Sequence, residues 1–210
     1  MEPPAGSMFL AAARGAPAIV LIHEWWGLNA HITNVANRFV HEGISVYAVD
    51  LYEGQIAVDT AACARLMGEL KRPRALELIG AAKAELEEEG AQPQKIGVVG
   101  FCMGGGFAIN AAALYPFAAC VPFYGIGPEV PLEHFQAKVL GHYANIDEHC
   151  EPAQVDALEQ RLLAARIPTT FHRYEAHHAF FNDTRPEVYS AKDAAVAWHR
   201  TVAFLKETLS

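Results

Sequence analysis

The pentapeptide Gly100-Phe101-Cys102-Met103-Gly104 sets one nucleophilic side chain between glycines, directly behind the apolar run Lys95-Ile96-Gly97-Val98-Val99. Gly105 and Gly106 follow, and then a helical stretch of small and apolar residues from Phe107 to Leu114. Strand, tight turn and helix in that order make a nucleophile elbow, here with cysteine where serine is usual. Glycines beside the nucleophile admit a strained backbone and a close approach of neighbouring strands. Such a turn lifts the thiol to the N-terminus of a helix, where free N–H groups and the helix dipole favour a thiolate and later an oxyanion. The bland alternative is a glycine-rich turn around a buried, inert cysteine, and only context separates the two.

A thiol of ordinary pKa, about 8.5, is mostly protonated at neutral pH and needs a base and an orienting acid. An elbow fold supplies them in the chain order nucleophile, acid, histidine, each at the carboxyl end of a strand. Asp147 follows the run Lys138 to Ala144, and His177-His178 follow the run Thr169 to Tyr174. Asp147 could instead cap the next helix, with Glu148 taking its place as the acid, and motif position favours His178 over His177. The first long apolar run ends in His23-Glu24-Trp25-Trp26-Gly27, the loop that provides the second oxyanion donor in such folds. The backbone N–H groups of Met103 and Trp25 are therefore the candidate oxyanion hole. Glu24 in the same loop stands close enough to influence the thiol's proton, unless it is an ordinary surface carboxylate. Trp25, Trp26, Met67, Phe123, Tyr124 and Phe181 are candidates for an apolar substrate cleft.

These groups must be held by alternating strands and helices. Strands are expected at Met8 to Ala13, Ala18 to Ile22, Ile44 to Val49, Lys95 to Val99, Ala118 to Tyr124, Lys138 to Ala144 and Thr169 to Tyr174. Helical periodicity covers His31 to Glu42, Thr60 to Leu70, Arg74 to Glu89 with Pro73 as the break, Phe107 to Leu114, Glu151 to Ala165 and Pro186 to Leu205. That alternation predicts an α/β fold: a mostly parallel sheet with helices on both faces and a site beyond the carboxyl ends of the strands.

The 210 residues suit one domain spanning 1–210. A net charge of -8 leaves no basic stripe for nucleic acid. No apolar run approaches the ~20 residues of a membrane span, and Met1-Glu2-Pro3-Pro4 lacks the basic start of a secretory signal. Cys63, Cys102, Cys120 and Cys150 show neither disulfide nor zinc spacing, so a reducing cytoplasm is the expected setting. His142, Asp147, His149 and Cys150 lie close in sequence but lack the spacing of a dedicated metal site, so neither metal nor cofactor is expected. Oligomeric state is not legible.

Together, His23-Glu24-Trp25-Trp26-Gly27-Leu28-Asn29, Val49-Asp50-Leu51-Tyr52, the run from Gly97 through Cys102 to Gly105, Asp147, and His178 to Asp183 resemble the dienelactone hydrolase family of α/β-hydrolases. The likeness runs nearly end to end. It implies an α/β-hydrolase fold, with fewer edge strands at the N-terminal side than the family sheet has. It also implies cleavage of a small-molecule ester or lactone through a thioester. By resemblance, Cys102 is the nucleophile, His178 the base and acid, and Asp147 its orienting partner. Glu24 matches a glutamate that pairs with the resting thiol and helps deprotonate it when substrate arrives. Two departures argue against dienelactone itself as the substrate. Asn182 stands where the family has an arginine four residues after the histidine, and Thr60 aligns with the other arginine, with Arg65 a turn away. A general carboxylesterase or thioesterase, or a peroxide-sensitive thiol on the same fold, are the competing expectations.

Overall fold

The computed structural model describes residues 5–210. Its strands form where apolar runs leave no polar face: β2 (Ala18–Ile22), β3 (Ser45–Val49), β4 (Ile96–Phe101) and β5 (Ala119–Phe123) are buried at every residue. With β1 (Met8–Leu10), β6 (Lys138–Ile146) and β7 (Thr169–His177) they make one seven-stranded sheet of order β1-β3-β2-β4-β5-β6-β7. The short β1 pairs antiparallel with β3, and every other pairing is parallel.

Alternation along the strands feeds two cores. Ile19 and Leu21 of β2 face α1 (Ala30–His41) and α6 (Ala191–Leu209) through Ile32, Val35, Phe39, Ala197 and Leu205. Val20 and Ile22 face the other side, where α3 (Arg72–Glu88) and α4 (Met103–Leu114) supply Leu78, Ile79, Ala108 and Ile109. Each fully buried Leu or Ile contributes about 1.5–3 kcal/mol, so both layers anchor the sheet that carries the loops. The remaining helices are α2 (Thr60–Glu69) and α5 (Pro152–Ala164). No helix among the described residues is long and apolar enough to cross a membrane.

Several element ends differ from the sequence reading: β1 stops at Leu10 rather than Ala13, and others shift for a physical reason. Pro73 does not break the helices. It sits in the first turn of α3, where no N–H is required, and the break falls at Leu70 and Lys71. Helix α4 starts at Met103 rather than Phe107, because glycines are tolerated in a helix whose first turn is pressed against the sheet. Strands β6 and β7 continue to Ile146 and His177, paired with each other past a bulge. Helix α6 begins at Ala191, since Arg185, Val188 and Tyr189 close turns instead.

Candidate active site

The chain leaves β4 at Phe101 and enters α4 at Met103, so Cys102 alone makes the turn, with φ 54° and ψ -118°. An L-residue there costs about 1–3 kcal/mol and persists only when its surroundings hold it. Here Cys102 N–H donates to Phe123 O at 3.0 Å and Cys102 O accepts from Gly105 N–H at 2.9 Å. The glycines are steric necessities. A Cβ on Gly100 would strike the carbonyl of Gly104, and one on Gly104 would lie 2.6 Å and 2.5 Å from the carbonyl oxygens of Ile22 and His23.

From this turn a hydrogen-bonded chain runs across three strand ends. Cys102 Sγ lies 3.1 Å from His178 Nε2, and His178 Nδ1 lies 2.8 Å from Asp147 Oδ2. Asp147 Oδ1 accepts the N–H groups of His149 and Cys150, both at 2.8 Å. Burial pushes the Asp147 carboxyl up, but the His178 hydrogen bond and charge and the two N–H groups outweigh it, so its pKa is lowered. Glu148 and His177 are exposed, while Asp147 is buried and His178 half-buried. Cys150 also falls near this pair, with potential ligand atoms of Asp147, Cys150 and His178 all within 4.8 Å of one another. Both imidazole nitrogens and both carboxylate oxygens there are already engaged, so the donor set does not fit a resident metal. His142 is fully buried between Tyr174 and Thr201, separate from that group.

The thiol is not the ready thiolate that a helix N-terminus suggests. Burial, and then the Glu24 carboxylate, raise its pKa far above the ordinary thiol value, and the Met103 N–H aimed at it lowers that only in part. Met103 N–H is also the first of α4, without an intrahelical partner. The loop after β2 is tied down by His23, whose buried ring stays neutral because burial lowers its pKa. Its Nε2 accepts from Leu51 N–H at 3.0 Å, which leaves Nδ1 to donate to Glu24 O at 2.6 Å. Glu24 itself is 2% exposed and accepts from Tyr124 O–H at 3.1 Å and Asn182 Nδ2 at 2.6 Å.

Cys102 opens into a cavity of about 630 Å³. Trp25, Trp26, Met67 and Tyr124 line it. Phe123 and Phe181 do not: they pack against Phe101 in the core at 0% and 1% exposure. Phe123 is the last residue of β5 and its ring packs into the α1/α6 layer, whereas Tyr124, one residue past the strand, reaches the cavity. Sequence reasoning missed Arg72 and Arg185, which also line the wall. The Nε of Arg72 is buried without a hydrogen-bond partner. Their only local signal was a proline directly after each. Arg65 points to solvent on Glu69 instead.

The family model for the dienelactone hydrolase family matches residues 6–209. The chain belongs to the dienelactone hydrolase family. It is 32% identical over 208 residues to Protein usf of Aquifex pyrophilus, covering 93% of this chain and 90% of the relative. A relative from Aquifex aeolicus, provisionally named a carboxymethylenebutenolidase, is 31% identical over 205 residues, with 92% and 89% covered. A crystal structure from Klebsiella pneumoniae, provisionally named a dienelactone hydrolase, superposes with a TM-score of 0.85 over 97% of this chain and 95% of the other. At 23% identity that superposition speaks for the α/β-hydrolase fold alone. As a dienelactone hydrolase family member, the protein is a carboxylic ester hydrolase.

Proposed function

We propose that this dienelactone hydrolase family member cleaves a small activated ester or lactone through a thioester on Cys102. The observation that carries the reading is the unbroken hydrogen-bond chain Cys102–His178–Asp147 at the mouth of the cavity. The sulfur attacks the carbonyl carbon as its proton passes to His178 Nε2. The oxyanion settles on the N–H groups of Met103 and Trp25, about 3 kcal/mol per donor. Collapse expels the alcohol or enolate oxygen, which takes the proton from His178. Water then gives a proton to Nε2 while its oxygen attacks the thioester carbon, and the acid leaves as sulfur regains the proton. The single-domain organisation of residues 1–210 and a reducing, cytoplasmic setting with a small molecule as partner belong to the same reading. Incubation with a nitrophenyl ester followed by mass spectrometry tests it: acylation of Cys102 is expected. Sulfenic-acid labelling by peroxide without any acylation would favour the redox-thiol alternative.

Asp147→Asn is expected to lower kcat for the same ester by about 10³–10⁴-fold, because the amide holds the wrong imidazole tautomer. Steady-state kinetics with KM nearly unchanged would match that role.

Because the thiol's pKa is raised, alkylation of Cys102 in the free enzyme should keep climbing with pH beyond the range of an ordinary thiol. Iodoacetamide kinetics from pH 6 to 10 would show no plateau. A plateau at ordinary thiol pH would contradict the environment described.

Arg72 and Arg185 favour a substrate carrying an acidic group, held by residues other than those at the family's arginine positions. Arg72→Ala should raise KM for a carboxylate-bearing ester by about 10-fold or more while a neutral ester of equal size is little affected. Equal losses on both esters would argue against an anion subsite.

A further inference from the structure

The buried carboxylate of Glu24 stands in the cavity wall and takes no step in the proposed reaction. Its two oxygens are both occupied, by the phenol of Tyr124 and the amide of Asn182. Neither donor can turn away cheaply. Asn182 is 1% exposed, and its Oδ1 accepts the backbone N–H of Thr184 at 3.1 Å and the Thr184 hydroxyl at 2.7 Å. That fixes which end of the amide faces Glu24. Tyr124 has a positive φ of 34°, its N–H donates to His142 O at 2.7 Å, and its carbonyl accepts the Cys150 thiol at 3.2 Å. Burial, with the Glu24 charge, holds the Tyr124 phenol firmly protonated, so it remains a donor. Its ring also packs edge-on to His178, with centroids 5.1 Å apart. Meanwhile the polar side-chain partner of Cys102 is His178.

We infer that Tyr124 and Asn182 are positioning residues that pin the Glu24 carboxylate beside the Cys102 thiol but off its proton. His178 is then the sole acceptor for that proton in the free enzyme. The inference rests on the Cys102–His178 reading and adds to it who keeps the competing acceptor away. Moving Glu24 onto the thiol would strand two buried donors at once. A carboxylate is a far weaker base than a thiolate, so a freed Glu24 would hold the S–H rather than remove its proton. Released from one of its donors, it would compete with His178 for the thiol. Cys102 would then become less reactive.

The test is a double-mutant cycle read by iodoacetamide alkylation of the free enzyme at neutral pH, with each variant first shown to be folded by near-UV circular dichroism. Asn182→Leu and Tyr124→Phe should each slow Cys102 alkylation by about 10-fold, as expected for a carboxylate brought into contact with the sulfur. In a Glu24→Gln background the same substitutions should change the rate by less than about 2-fold, the limit of independent effects. Equal slowing in both backgrounds would mean that Asn182 and Tyr124 act only as packing, and would overturn the proposal. Unchanged rates with Glu24 present would also overturn it. If Asn182→Leu does not fold, Tyr124→Phe carries the same cycle with Glu24→Gln. Alkylation reports on the sulfur whether or not hydrolysis occurs, so failure of acyl trapping in the parent protein would count against the ester-hydrolase mechanism alone.

Discussion

Cys102→Ala is expected to reduce turnover of a nitrophenyl ester by about 10⁴–10⁶-fold while the protein keeps its thermal midpoint within a few degrees. The size of the loss follows from where the sulfur sits. The Cys102 backbone is held at φ 54° by bonds to Phe123 O and from Gly105 N–H, and its sulfur stands 3.1 Å from the imidazole linked to Asp147. The other free cysteines cannot take over: Cys63 and Cys120 are fully buried in the core, and the Cys150 thiol is committed to Tyr124 O. Stability should survive because an alanine Cβ occupies the same position and only a half-buried sulfur is lost. Residual activity above about one-hundredth of the parent would show that the elbow thiol is not the nucleophile.

Gly104→Ala is expected to cost about 3 kcal/mol or more, although it adds one methyl group to a helix. That methyl would press on the carbonyl oxygens of Ile22 and His23 at 2.6 Å and 2.5 Å, and both belong to the backbone at the end of β2. Neither atom can swing aside as a flexible side chain would. Helix α4 must therefore back away from the sheet and carry Cys102 and Met103 with it, so activity falls along with stability. Gly68→Ala makes the opposite case, because that glycine lies in α2 with nothing within 4 Å of an added Cβ. It should stabilise by about 0.5–1 kcal/mol, the ordinary helix preference of alanine over glycine. Urea unfolding midpoints of the two variants should move in opposite directions. A common direction would contradict the contact geometry at the elbow.

The elbow was legible in the sequence because its requirements are local. A strand, one bent residue and a helix within a dozen positions leave a pattern of glycines that few other arrangements need. Asp147 and His178 were legible because a parallel sheet delivers every strand's carboxyl end to the same edge. Chain order then stands in for distance. The assignment failed where a single residue's direction mattered: Phe123 and Tyr124 are neighbours, yet one fills the core and the other reaches Glu24 and the cavity. It also misread Pro73, whose meaning depends on whether a helix ends before it or begins at it.

Sequence by itself determined the layered architecture, the bend at Cys102 and the strand ends that face it. All three are written in short-range periodicity and steric demand. Only the tertiary structure decided how the charges are arranged around that sulfur. Glu24 meets Tyr124 100 positions later and Asn182 158 positions later, and no local pattern records such a meeting. Arg72 and Arg185 converge on one wall in the same way, from a helix start and a distant turn. Electrostatic interaction depends on separation in space and on what fills the intervening volume, and a linear chain specifies both only once it has folded.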